Sequence, residues 1–190
     1  MGYTVPVRET LAGKANVFRP LTNCGPTTRG VELVDEWLAD RNWDIIHFNF
    51  GLHDLKFMSP DGKNLADPTD PNNAPQVPID QYAMNLRVII QKLQATGATL
   101  IWRETSPVPA GAKGRVPGDA RRYNSAAADV VSAFPQIQTD EFYAFCLKHA
   151  DLQRPANVHY SPEGSRLLAA HVSSVILQAL SEKTVAHPPS

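Results

Sequence analysis

The chain has few of the features that indicate a bound cofactor, a membrane or a polyanionic partner. It has only two cysteines, Cys24 and Cys146, at a separation that fits neither a zinc site nor a disulfide framework. The net charge is −1, without a long run of one sign, which gives no electrostatic reason to expect a nucleic acid or an anionic membrane as partner. No apolar stretch is long enough to span a bilayer, and the N-terminus is not a signal peptide. Because the histidines and carboxylates lack ligand spacing, we expect no metal and no other cofactor.

The composition that remains is that of a globular protein, with 43% hydrophobic and 19% charged residues among 190. We therefore expect residues 1–190 to form a single domain. Hydrophobic spacing predicts α-helices that alternate with short apolar strands. Such alternation predicts an α/β fold, with a parallel sheet covered by helices on both sides. Helices are predicted at residues 6–11, 31–39, 81–96, 119–134 and from 161 onwards, strands at 15–19, 43–50, 98–102 and 136–139, and loops at 59–78 and 105–117.

Two loops that follow predicted strands contain candidate site residues. In an open parallel sheet, ligands bind outside the carboxyl ends of the strands. In the loop at residues 23–28, Gly25 lets the backbone approach a ligand, and its N–H is a candidate donor to an oxyanion, although a plain turn would explain the same residues. After the strongest strand, Gly51 leads to His53 and Asp54. These two are suited to donate to an oxyanion or to orient another group, unless Asp54 only caps a turn.

A third candidate lies just before the last helix. His159 precedes Ser161 and Pro162, which are residue types that begin helices. A histidine fixed at a helix start is well placed to act as a general base, and a surface histidine is the alternative. His47 lies inside a predicted strand and is interpreted as structural.

Together these loops resemble the motif blocks of the SGNH hydrolases, also called GDSL-type esterases. The run that begins at His159, His-Tyr-Ser-Pro-Glu-Gly-Ser-Arg-Leu-Leu-Ala, is typical of that family. The resemblance implies a three-layer, flavodoxin-like fold and hydrolysis of acetyl or other short acyl esters. The implied substrate is a small-molecule or carbohydrate ester. It also implies that Gly25 and His53 form the oxyanion hole and that His159 is the general base.

The chain departs from the family pattern around these residues. His53 stands where the family has asparagine, and an imidazole can still donate one hydrogen bond. Ala156 stands where the family has an aspartate three residues before the histidine. Asn157 and Asp54 are therefore the candidate groups to orient His159, and a Ser-His dyad without an acid is an alternative to a full triad.

The largest departure is at the start of the chain. The family opens with a buried strand that ends in Gly-Asp-Ser, whereas residues 1–6 here resemble the segment that follows that serine. We therefore expect the first central strand and the nucleophile to be missing, Met1 to be an internal methionine, and upstream residues to be able to carry a signal. An alternative is a non-catalytic binding protein that keeps the cleft. A flavodoxin-like nucleotide or phosphate binder is a third reading, which no glycine-rich loop supports.

Overall fold

The computed structural model describes residues 2–186, with side chains described up to residue 183. Met1, interpreted above as an internal methionine, lies outside the described residues. The chain is an α/β protein in which helices surround a small parallel sheet. The helices are α1 (Thr4–Thr10), α2 (Thr27–Leu38), α3 (Ile79–Gln94), α4 (Asp119–Val131), α5 (Phe142–Lys148) and α6 (Pro162–Ala186), with a 3-10 turn at Ala150–Leu152, and the strands are β1 (Ile45–Phe48), β2 (Phe57–Met58), β3 (Ala74–Pro75), β4 (Thr99–Arg103) and β5 (Gln138–Asp140).

The main sheet has three parallel strands in the order β1-β4-β5. Ile45 lies opposite Thr99, and Arg103 lies opposite Asp140, so the three strands end at a common edge. Within the described residues β1 has a partner on one side only, and it therefore forms one border of the sheet. Strands β2 and β3 form a separate antiparallel pair.

Two apolar clusters fill the spaces between the sheet and the helices. The larger cluster joins α2, α3 and α4 to the sheet through side chains such as Val34, Leu86 and Trp102. The smaller one joins α1, α5 and α6, with Leu11 and Phe142 fully buried. Burial of these side chains is the main term that stabilises the fold. Among residues 2–186, no helix is long and apolar enough to cross a membrane.

The observed elements differ from the predictions. The pair of strands β2 and β3 was not predicted, and β3 lies within the predicted loop at residues 59–78. Residues 15–19 form no strand, because within the described chain they have no neighbouring strand with which to pair. Helix α5 was not predicted, since its seven residues are too few to show a clear period. The other predicted helices and strands are present, with ends shifted by up to four residues. Ser161 Oγ accepts the N–H of Gly164 at 3.0 Å, which confirms the predicted cap of α6.

Candidate functional site

The loop after β1 is held against the neighbouring strand end. The carbonyl of Phe50 accepts hydrogen bonds from Thr105 Oγ1 at 2.8 Å and from Tyr82 Oη at 3.1 Å. Gly51 has φ +145°, a conformation that residues with a side chain rarely adopt, and a methyl group on it would collide with the Thr105 side chain. Only glycine therefore lets the chain pass Thr105 and turn into the loop that carries His53 and Asp54.

Asp54 fastens this loop to the start of α2. Its side chain is fully buried, and Oδ1 accepts the Thr27 N–H at 2.7 Å and the Thr27 Oγ1 hydroxyl at 2.6 Å. Asn85 on α3 donates in turn to Thr27 Oγ1 at 3.1 Å. Burial raises the pKa of the Asp54 carboxyl, and the bonds from Thr27 oppose that rise. The carboxylate therefore satisfies a free N–H in the first turn of α2, and its hydrogen bonds go to Thr27, not to His159.

Gly25 lies in the loop that leads into α2, two residues before Thr27. Its φ is +67°, and its N–H donates to Asn23 Oδ1 at 3.0 Å. The candidate oxyanion donor thus already has an acceptor within its own loop. The Asn23 side chain must rotate away before the Gly25 N–H can reach a ligand. Asn23 is exposed, so this rotation meets no buried neighbour.

His53 is half-buried beside a group of positive charges. The pKa of the His53 ring is lowered to about 4. Burial is the largest cause, and the charges of Lys56, Arg115 and His159 add to it. The ring is therefore neutral at pH 7 and keeps one N–H to donate. Arg115 donates from Nη2 to the carbonyl of Leu52 at 3.0 Å and from Nε at 3.2 Å, so it fixes the residue before His53.

His159 is exposed, and one ring nitrogen has a partner. Nδ1 lies 2.7 Å from Asn157 Oδ1, which also accepts the His159 backbone N–H at 3.0 Å. An amide oxygen only accepts, so this contact places the proton on Nδ1 and leaves Nε2 able to take up another. Within the described residues, no hydrogen bond reaches Nε2, and no carboxylate contacts the ring. Asp151, a carboxylate eight residues before His159, forms no hydrogen bond with it in the described chain.

The loop that carries His159 is supported from two directions. The backbone N–H of Arg154 donates to the His159 carbonyl at 2.9 Å. Gln153 Nε2 donates to the Pro107 carbonyl at 3.0 Å, which ties this loop to the one after β4. Ala156 has φ +51°, a left-handed conformation, in the tight turn just before Asn157. The short turn that carries His159 is thus fixed by hydrogen bonds.

A hydrogen bond and a charge effect link the three predicted loops in pairs. Thr27 joins the first loop to the second through Asp54, and the charge of His159 reaches His53. Three residues that contact the predicted site loops were not predicted from the sequence: Asn23, Thr27 and Arg115. No short motif identifies Thr27 or Arg115, because their partners are 27 or more residues away along the chain. The partner of Asn23 is close, but the bond between them is one that ordinary turns also make. Among the described residues, no group of three or more His, Cys, Asp or Glu side chains could hold a metal ion.

No protein-family model matches the sequence, and no curated protein matches it at a significant level. The solved structures do include a similar fold, that of the acetyl xylan esterase AlAXEase. The TM-score is 0.68 and the identity is 16%, over 92% of this chain and 90% of that one. The chain thus has an α/β fold that is similar to the fold of an esterase.

Proposed function

We propose that His159, His53 and Gly25 belong to the active site of an SGNH-type ester hydrolase that removes acetyl or other short acyl groups from a small-molecule or carbohydrate ester. One observation carries the proposal: His159 is exposed, its Nδ1 is held by Asn157 at 2.7 Å, and its Nε2 is unpartnered within the described chain. A ring fixed in this way has the tautomer that a general base needs. The similarity of the fold to that of an acetyl xylan esterase supports the choice of an ester as substrate.

In this proposal each residue has a separate role. A serine hydroxyl attacks the ester carbonyl while His159 Nε2 takes its proton. The carbonyl oxygen becomes an oxyanion, to which His53 donates from its neutral ring and Gly25 from its N–H. Asn157 orients the imidazole, and Asp54 acts only by holding the oxyanion loops together. Collapse of the intermediate returns the proton to the leaving alcohol, and water then releases the acid from the acyl-enzyme.

Among the described residues, no serine or threonine hydroxyl is hydrogen-bonded to His159 Nε2. Ser161 Oγ accepts the Gly164 N–H, and Ser106 is buried in the loop after β4. We therefore propose that the nucleophile comes from outside residues 2–186. Residues 2–186 would then supply a base and oxyanion donors, and we expect no ester hydrolysis until a nucleophile is added.

The test supplies the missing group. An apolar strand that ends in Gly-Asp-Ser is fused ahead of Met1, and hydrolysis of p-nitrophenyl acetate is compared with that by the same fusion ending in Gly-Asp-Ala. We expect hydrolysis only by the fusion that ends in serine. His159→Ala in that fusion should lower the rate of hydrolysis roughly 100-fold or more, and Asn157→Asp, which keeps an acceptor for Nδ1–H, should retain it. Serine-dependent hydrolysis that survives His159→Ala would overturn the role of His159.

A non-catalytic binding protein is the second candidate, and a specific observation favours it. An amide oxygen, not a carboxylate, contacts the His159 ring, so the imidazolium that forms during attack lacks a charged partner. If the serine fusion folds but stays inactive, while an uncleavable acetamide analogue of the ester still shifts the His53 and His159 NMR signals, the cleft binds without catalysing.

A further inference from the structure

Two positive charges act on His53 in the loop after β1. The charges of Lys56 and Arg115 both reach its ring. Arg115 is bonded to the backbone of the residue before His53, and the Phe57 N–H donates to the Gly114 carbonyl at 2.8 Å. The segment that contains Lys56 and the segment that contains Arg115 are thus fixed against each other by backbone hydrogen bonds.

Neither of these cations is neutralised by an ion pair. In the part of the chain whose side chains are described, no carboxylate bonds to Lys56 or Arg115. The charge of Asp54 reaches Lys56, but Asp54 is buried and its Oδ1 is bonded to Thr27. Both cations are half-buried, and this burial lowers the pKa of each side chain. An anion bound beside them would be stabilised by two charges that water only partly screens.

Both side chains keep donors for such an anion. Arg115 uses Nε and Nη2 on the Leu52 carbonyl, at 3.2 and 3.0 Å, and its Nη1 makes only a long contact of 3.4 Å with the Lys113 carbonyl. The Lys56 ammonium donates to no group among the described residues. One donor is therefore held by the backbone and the other lies on a flexible stem, a pair that matches the two oxygens of a carboxylate.

We infer that Lys56 and Arg115 bind a carboxylate of the substrate, so that the ester cleaved at His159 is an anionic one. The inference rests on the proposed function and adds a substrate class to it. Because the proposed acyl group is acetyl or another short one, the carboxylate belongs to the alcohol part of the ester. Positive charges of this kind attract an anionic substrate and hold it in the site, which lowers KM. Lys56 and Arg115 are thus specificity residues, whereas His159 and His53 act on the reacting ester group.

Two matched substrates test the inference in the fusion that ends in serine. In p-acetoxybenzoate the leaving phenol carries a carboxylate, and in p-acetoxybenzamide a neutral amide of nearly the same shape replaces it. Each kcat/KM is divided by the rate of hydrolysis of the same ester by hydroxide. We expect this normalised value to be roughly tenfold higher for the benzoate, mainly through a lower KM, and the preference to shrink as salt is added. Equal normalised values at low salt would overturn the inference and leave the proposed esterase standing.

Charge variants test which residues cause the preference. Lys56→Gln and Arg115→Gln should each reduce it roughly threefold or more. Arg115→Lys keeps the charge and should retain more of the preference than Arg115→Gln, which separates loss of charge from loss of the bond to the backbone. Lys63→Gln is the matched control, because Lys63 is an exposed lysine seven residues after Lys56. An equal reduction in the control would show that the overall charge of the chain attracts the anion, and the inference would be wrong.

A binding measurement separates failure of this inference from failure of the proposed function. The chain without the fused strand is titrated with benzoate and with benzamide, and the NMR signals of the His53 ring are followed. We expect benzoate to bind roughly tenfold more tightly and to raise the pKa of His53, because its charge opposes those of Lys56 and Arg115. If this difference holds while the serine fusion is inactive, the anion site stands and only the proposed hydrolysis fails. If the two compounds bind alike, or neither binds, the inference is wrong.

Discussion

At Asp54, the partner of the side chain decides its role. The sequence places Asp54 next to His53, where it could orient a catalytic group. In the structure it is buried, and its Oδ1 accepts both donors of Thr27. His159 lies at the other extreme, exposed and with one ring nitrogen unpartnered in the described chain. We therefore expect substitution of Asp54 to affect stability first, and substitution of His159 to affect chemistry first.

Asp54→Ala should lower the free energy of unfolding by about 2–3 kcal/mol, because it leaves the buried Thr27 N–H and hydroxyl without their acceptor. Asp54→Asn keeps the Oδ1 acceptor and should lower it by only about 1 kcal/mol. Urea denaturation measures both changes. Asp67→Ala is the matched control, since Asp67 makes the same pair of bonds to Thr69 on the exposed surface. An equal loss in the control would contradict the role of burial.

The stability of the chain should also depend on the protonation of His53. Its folded pKa is about 4, below the unfolded value of 6.5, so the unfolded chain binds more protons between these values. The stability of wild type relative to His53→Gln should therefore fall as the pH is lowered from 7 to about 5, and should stay constant from 7 to about 8. Urea midpoints at each pH measure this difference. A constant difference over the whole range would show that the folded ring titrates normally.

At the scale of elements, the site depends on how closely the strand ends pack. Gly51 is where the chain leaves β1, and it passes so close to Thr105 that no side chain fits. The loop that follows Gly51 carries His53 and Asp54, so the close approach of Gly51 to Thr105 fixes where this loop leaves the sheet.

Gly51→Ala should lower the free energy of unfolding by about 3 kcal/mol, since overpacking and a positive φ each cost about 1–3 kcal/mol. Thermal or urea unfolding measures the loss. Gly62→Ala is the control, because Gly62 also has a positive φ, +69°, but has open space around it. Thr105→Ala should restore part of the loss at Gly51. Equal effects at the two glycines would mean that φ alone, and not contact with Thr105, explains the cost.

The spacing of apolar residues predicted the long helices, because that spacing is visible within each helix's own sequence. The spacing of Tyr82, Leu86 and Ile90 identified α3, and Gly97, with φ +73°, follows the end of this helix. A strand depends on its neighbour, which is not visible in its own residues. Residues 15–19 have the composition of a strand but form none, because no described strand lies beside them.

At the scale of the whole molecule, the alternation of elements predicted that the candidate residues lie in loops, although not how these residues are bonded. Gly25, His53 and His159 lie in three loops at the carboxyl end of the sheet, as the alternation of helices and strands implies. The hydrogen bond from Gly25 to Asn23 and the pKa of His53 could not be predicted. Both depend on burial and on side-chain positions that only the packed structure determines.

The central claim is that Asn157 holds His159 with a proton on Nδ1 and with Nε2 free to act as a base. Nitrogen–proton correlation NMR of the imidazole rings tests this directly, without requiring activity, in wild type and in Asn157→Ala. We predict the Nδ1–H tautomer in the neutral wild-type ring and a loss of that preference in Asn157→Ala. A wild-type ring with its proton on Nε2, or a tautomer that does not change in the variant, would contradict the claim.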